Sequence, residues 1–198
     1  MKNSPLQQLP KYIPRLIHIL HNTPPQQHLL KLSPIALQQQ GIKIPVLDFD
    51  GVLAAHGETS PHPQALTWLN QAVTVFGATH IFILSNQASP NRIAFFAKHY
   101  PNITFLTGVR KKPHPDGLET VMKITGQPPH ALILIDDRLL TGGLAACIAD
   151  TQFAYILAPY QSFAKRPFSE TLFAGLRFLE RQGIQLYAKL YQKFIHSA

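Results

Sequence analysis

Cysteine is nearly absent from this chain: Cys147 is the only one in 198 residues. It cannot pair within the chain, so a disulfide framework is excluded, and the residue is expected to act as a small buried apolar group. Charged side chains are also few, at 14% against 45% apolar, which excludes an acidic disordered tail and a coiled coil. No stretch approaches the roughly 18 consecutive apolar residues that a membrane-crossing helix needs. The N-terminus (MKNSPLQQLPKYIPRLIHIL) interrupts each apolar run with Pro, Gln, Lys or His before a signal-peptide core can form. The expectation is a cytoplasmic chain, with a peripheral place at the inner face of a membrane left open. Acid is the other shortage. Ten Asp and Glu face 18 Lys and Arg, for a net charge of +8, which favours anionic partners: phosphorylated substrates, nucleic acid or acidic lipid headgroups. No specific nucleic-acid motif accompanies the charge.

What is present is an alternation. Residues 1–42 are rich in Pro and Gln, and Tyr12, Leu16, Ile17 and Leu20 recur at helical spacing between Tyr12 and His21, which reads as an N-terminal helical appendage. From Ile44 onward, short apolar runs are each followed by a polar cluster and a longer segment of helical period. Strands are expected at 44–48, 80–84, 103–106, 131–135 and 153–157, and helices near 62–76, 90–99, 115–125 and 138–147. Strands apolar on both faces need helices on both sides, so the pattern predicts an α/β domain: a Rossmann-like, doubly wound parallel sheet. After Pro167 come two amphipathic stretches, 168–181 and 184–195, divided at Gly183, a residue type that commonly ends helices. The division expected is an appendage at 1–42, a core at 43–160, and C-terminal helices at 161–198 packing on the core.

The scarce acids are not scattered. Asp48 and Asp50 close the first expected strand, and Asp136 and Asp137 close the fourth. A carboxylate beside an apolar strand costs free energy unless a cation, a metal or several hydrogen bonds compensate it. The carboxyl ends of parallel strands form the edge where ligands bind, and Ser85, Asn86 and Lys112 also follow strands. Acids, a hydroxyl, an amide and an ammonium at one edge suit a phosphate bound with Mg²⁺, a hard cation usually held by one or two carboxylates, waters and phosphate oxygens. Asp48 and Asp137 are the expected ligands. With charge neutralised by the metal and Lys112, one carboxylate can attack phosphorus while a second, two residues on, protonates the departing alcohol.

The run DFDGVL, Asp48 to Leu53, resembles the first motif of the haloacid dehalogenase-like (HAD) superfamily. ILSN ending in Ser85 and Asn86, KP at Lys112 and Pro113, and ILIDD ending in Asp136 and Asp137 follow in that superfamily's order. The resemblance covers roughly residues 43–160. It implies a phosphatase in which Asp48 forms an aspartyl-phosphate and Asp50 serves as general acid and then base. It also implies that Ser85 binds phosphoryl oxygens, that Lys112 stabilises the intermediate, and that Asp137 completes a Mg²⁺ site with the Asp48 carboxylate and the Asp50 backbone carbonyl. Asn86 is either a further phosphate ligand or a cap for the next helix. Lys111 competes with Lys112, but Lys112 directly precedes the proline, as the motif requires.

Only 37 residues separate Asp48 from Ser85, and 27 separate Ser85 from Lys112, lengths already filled by one helix and one strand each. No cap domain is expected, and an open site suits a phosphate displayed on something large. Within the superfamily the chain is similar to the YqeG-type branch, which is similar to phosphatidylglycerophosphate phosphatases. That branch carries GDQLLTD where this chain reads DDRLLTG. Asp136 replaces the glycine, Arg138 the glutamine and Gly142 the second aspartate, so Asp136 is the candidate substitute for the missing metal ligand. The substrate favoured is phosphatidylglycerophosphate or another large or membrane-displayed phosphate, with peripheral contact at an anionic membrane. A phosphoprotein or nucleic-acid-end phosphatase is the second reading, and a non-catalytic HAD-like binding module is the third. The ten histidines are read as surface residues, while His56, Glu58 and His62 fall in a loop that forms a flap over the site in relatives.

Overall fold

A computed structural model describes residues 4–196, with side chains through residue 190. Five parallel strands form one sheet: β1 (Ile44–Leu47), β2 (Phe82–Ile83), β3 (Thr104–Phe105), β4 (Leu132–Asp136) and β5 (Gln152–Tyr155), in the order β3-β2-β1-β4-β5. This is the doubly wound α/β architecture that the apolar runs imply. All four residues of β1 and all five of β4 are buried, because helices cover both faces. α3 (Pro63–Phe76) and α4 (Pro90–His99) build one core with Trp68, Leu69 and Phe96. α5 (Asp116–Thr125) and α6 (Leu144–Ala149) build the other with Leu118, Val121 and Ala145. Each connection between strands holds little more than its helix, so no cap domain is inserted.

The N-terminal segment joins this packing. α1 (Pro5–Asn22) begins before the expected Tyr12, because Pro5 occupies the first turn, where a missing N–H costs nothing, and Gln7 Oε1 accepts from Ser4 N at 3.0 Å. Its Ile13, Leu16 and Leu20 pack with Leu139, Cys147, Tyr155 and Ile184. Cys147 is buried as expected, and burial pushes its thiol up to about 11. Leu29, Leu37 and Ile42, the last two in or just beyond α2 (Pro34–Gln39), enter the first core, and Trp68 Nε1 donates to Leu32 O at 2.6 Å.

The C-terminal segment departs from expectation. One continuous helix, α7 (Pro167–His196), replaces the two stretches expected on either side of Gly183. A glycine inside a helix costs only about 1 kcal/mol relative to alanine. Ile184 is anchored in the core beside it, so tertiary packing carries the helix through. Among the described residues, no helix is long and apolar enough to cross a membrane.

Candidate active site

Sheet register assembles the site. β1 lies between β2 and β4, and the chain fills the sheet from β1 outward on one side before crossing to the other, so the switch in strand order falls between β1 and β4. Leu47 is level with Ile135, so Asp48 and Asp136 leave the sheet side by side. Asp48 N donates to Ile135 O at 2.9 Å, extending the ladder one residue into the site. Gly51 then turns the chain with φ +78°, and a Cβ there would collide with the Asp137 carboxylate. A glycine is required on both counts.

Asp48, Asp136 and Asp137 are buried, and each offers a carboxylate oxygen within 4.8 Å of the others. Lys112 Nζ stands between two of them, 3.0 Å from Asp48 Oδ1 and 2.5 Å from Asp136 Oδ2. Asn86 fixes that lysine from behind: Lys112 N donates to Asn86 Oδ1 at 2.8 Å, and Asn86 Nδ2 donates to Lys112 O at 3.1 Å. Asn86 therefore does not cap α4. Ser89 does, its Oγ accepting from Arg92 N at 3.4 Å. Ser85 follows β2 at the same edge, half-buried, with its Oγ accepting from Gln87 N at 3.1 Å. Lys111 is exposed, whereas Lys112 is buried in the cluster.

The acids differ in how much of their bonding capacity is already committed. Both oxygens of Asp136 are engaged, Oδ2 by Lys112 and Oδ1 by Arg138 N at 2.8 Å. Asp48 Oδ1 takes Phe49 N at 2.8 Å as well as Lys112, and Asp137 Oδ2 takes Arg177 Nη1 at 2.6 Å. Among the described residues, none makes such a bond to the remaining oxygens of Asp48 and Asp137. Asp50 stands apart from the cluster: Arg92 grips it with two bonds of 2.6 and 2.8 Å, and Gly57 N adds a third at 3.2 Å.

Three buried carboxylates thus face two cations, Lys112 and Arg177, and the surplus is negative. Burial drives the Asp48 carboxyl well above its ordinary value against the pull of Lys112, with Asp136, Asp50 and Asp137 adding to the rise. Burial and the neighbouring Asp136 push Asp137 up to about 7, despite Arg177. For Lys112, burial disfavours the charge, but Asp136 and Asp48 more than reverse it, and the ammonium titrates above its ordinary range. Oxygen donors, an unrelieved negative charge and two uncommitted oxygens fit a hard divalent cation such as Mg²⁺.

Two arginines escaped the sequence reading, and a third, Arg138, entered it only as the replacement of a motif glutamine. Arg92, almost fully buried, lies over the Phe49 ring at 4.0 Å and also bonds Glu58 O and Gln87 O, tying the loops after β1 and β2 together around Asp50. Arg177 comes from α7, 40 residues beyond its partner Asp137. Arg138 pairs with Glu180, also on α7. Of the loop after β1, His56 is buried and stacks on Phe173 at 3.7 Å. Burial lowers its imidazole to about 4, so it is neutral at pH 7 and makes no ion pair with Glu170, 3.8 Å away. His62 caps α3, its Nδ1 accepting from Gln64 N at 3.3 Å, and stacks on Tyr160.

A family model described as mitochondrial PGP phosphatase matches residues 6–152. The matched stretch runs from α1 to the start of β5, takes in Asp48, Asp50, Ser85, Asn86, Lys112, Asp136 and Asp137, and leaves α7 outside. No match is found among curated proteins.

Proposed function

The chain belongs to the mitochondrial PGP phosphatase family, a HAD-like family of phosphoric monoester hydrolases, and from that premise we propose that it removes the terminal phosphate of phosphatidylglycerophosphate in a Mg²⁺-dependent reaction through an aspartyl-phosphate. The observation carrying the reading is the buried trio Asp48, Asp136 and Asp137 with Lys112 among them, at the switch point of an uncapped sheet. An uncapped edge accepts a phosphate displayed at a lipid surface without enclosing the rest of the molecule. The unit proposed to bear this chemistry is residues 43–160, with the described parts of the segments on either side packed upon it.

In the proposed cycle an Asp48 carboxylate oxygen attacks phosphorus as the bond from phosphorus to the glycerol oxygen breaks. Asp50 turns from Arg92 to give that oxygen its proton, and the alcohol leaves. A water then attacks the phosphoryl group, Asp50 takes the water's proton, and the bond from phosphorus to Asp48 breaks to release inorganic phosphate. Lys112 neutralises phosphoryl charge throughout, Ser85 donates to a phosphoryl oxygen, and Asn86 keeps Lys112 in position. Asp48, Asp137, the Asp50 carbonyl and, more weakly because both its oxygens are engaged, Asp136 would hold Mg²⁺. When bound, the ion would supply charge neutralisation at the phosphoryl oxygens.

The test is phosphate release from vesicles containing phosphatidylglycerophosphate. Release is expected with Mg²⁺ and not with a chelator. Activity confined to phosphopeptides or nucleic-acid ends would move the assignment to the second substrate class.

The electrostatics give a further expectation. Asp137 binds its proton more tightly in the folded, metal-free chain (about 7) than its ordinary carboxyl does. Between about pH 4 and 7 the unfolded chain therefore holds fewer protons, and stability falls as pH rises. Mg²⁺ binds the deprotonated carboxylates and cancels the penalty. Thermal unfolding should show the melting temperature in chelator dropping from pH 5.5 to pH 8, and the increment from added Mg²⁺ growing over the same range. An increment independent of pH would mean that the ion binds elsewhere.

A further inference from the structure

Helix α7 has two unlike faces. Towards the core it presents Glu170, Phe173, Arg177, Glu180 and Ile184, and four of these five are buried. Through them it reaches the catalytic edge: Arg177 bonds Asp137, Glu180 pairs with Arg138, and Phe173 stacks on His56. On the opposite side lie Phe168, 90% exposed, and Leu172, Leu179, Leu186 and Leu190, between 59% and 65% exposed. Their spacings of 4, 7, 7 and 4 keep them on one helical stripe about 33 Å long. Scattered exposed apolar residues are ordinary on a protein surface, but a continuous stripe marks a contact.

Charge selects the contact. The only acids in α7 are Glu170 and Glu180, and both are buried against the core. Among the described residues, the charges beside the stripe are therefore lysines: Lys189, exposed on the helix, and Lys165 at its approach, exposed although its Nζ stands 3.5 Å from Glu58 Oε1. Two copies pairing through this face would bring like charges together at the flanks. An anionic lipid surface meets both the apolar stripe and its basic borders.

We propose that α7 docks along this stripe on an anionic bilayer, lying in the plane of the surface. The catalytic edge, held against the helix's other side by Arg177 and Glu180, then sits about one helix diameter, roughly 10 Å, from the lipid. The proposal deepens the reading above, because it names the surface that presents the substrate, and it rests on that reading for the choice of a lipid. α7 lies outside the residues matched by the family model, so the docking face belongs to this chain's own C-terminal segment.

The full chain is incubated with vesicles of phosphatidylglycerol, which carries no phosphomonoester, or of phosphatidylcholine, and the bound fraction is measured by flotation. Wild type should bind phosphatidylglycerol vesicles at least tenfold better. Leu172→Gln, Leu179→Gln and Leu186→Gln combined should lose that binding while hydrolysing a soluble aryl phosphate as wild type does. Should the triple variant not fold, Lys165→Glu with Lys189→Glu, which keeps the apolar stripe, must lose the preference for the anionic vesicles. Wild type that stays unbound, either variant binding phosphatidylglycerol as wild type does, or a wild-type dimer that the triple variant dissolves into monomers without any vesicle binding, overturns the proposal. A chain that binds vesicles but leaves phosphatidylglycerophosphate intact overturns the substrate assignment and leaves the docking surface standing.

Discussion

Asp48→Asn should abolish phosphate release, by about 10⁴-fold or more, while leaving the fold at least as stable as wild type in metal-free buffer at pH 8. The two halves of this expectation have one cause. A carboxamide cannot form the acyl phosphate, so the proposed first step has no nucleophile. The same change removes one of three buried negative charges, in a place where burial and neighbouring acids already push the Asp48 carboxyl well above its ordinary value. The amide oxygen still accepts from Phe49 N and faces Lys112 Nζ, which retains Asp136. Function and stability conflict at such a residue. Phosphate assay and thermal unfolding on one preparation check both halves. Residual turnover above about 1% would remove Asp48 from the nucleophile's role, and a lower melting temperature would mean that its charge is compensated more fully than the surplus of acids implies.

The apolar runs and the acids ending them were legible because both are local features: a strand reads as a short apolar run, and a residue just beyond it must stand at the strand's carboxyl edge. The relation between Asp48 and Asp136 also followed, because βα units in one parallel sheet bring such ends together. What stayed hidden was longer in range. Arg92 sits in the first turn of α4, where a solvated arginine is ordinary, and only the fold shows it gripping Asp50 from 42 residues away. Arg177 and Glu180, charged positions within the expected stretch 168–181, carried no local sign of a role. Their burial follows from α7 crossing the catalytic edge, with Ile184, just past Gly183, anchored in the core. One signal was available: Glu170, Arg177 and Ile184 recur every seven residues, placing two charged groups in line with a core isoleucine, whereas the exposed face carries the leucines. Asn86 was legible as a site residue, but its engagement with both backbone groups of Lys112 needed the β3 loop in place.

Restoring the exchanged carboxylate of the fourth motif should rescue what either single change destroys. The π-helical turn Leu139–Gly143 after β4 brings Gly142 against Asp136, and a Cβ at Gly142 would collide with the Asp136 carboxylate. The two positions share one space, which a single side chain can fill. The resembled motif has glycine at the first position and aspartate at the second, so Asp136 is proposed to supply the same carboxylate from the other side of the gap. Asp136→Gly alone leaves Lys112 with Asp48 as its one partner and should cost about 10²- to 10³-fold in turnover, as when a charge-stabilising donor is misplaced. Gly142→Asp alone forces a second carboxylate into occupied space and should cost about 1–3 kcal/mol in stability, with activity falling as Asp136 is displaced. The double variant relieves the collision and returns an acid to the gap. It should recover to within about tenfold of wild type, far above the product of the single effects, because residues sharing a contact do not act additively. Turnover and urea unfolding of all four proteins decide the matter. A double variant no better than that product would mean that Asp136 anchors Lys112 in a way that no acid at position 142 can reproduce, and that the two motifs differ in mechanism as well as in sequence.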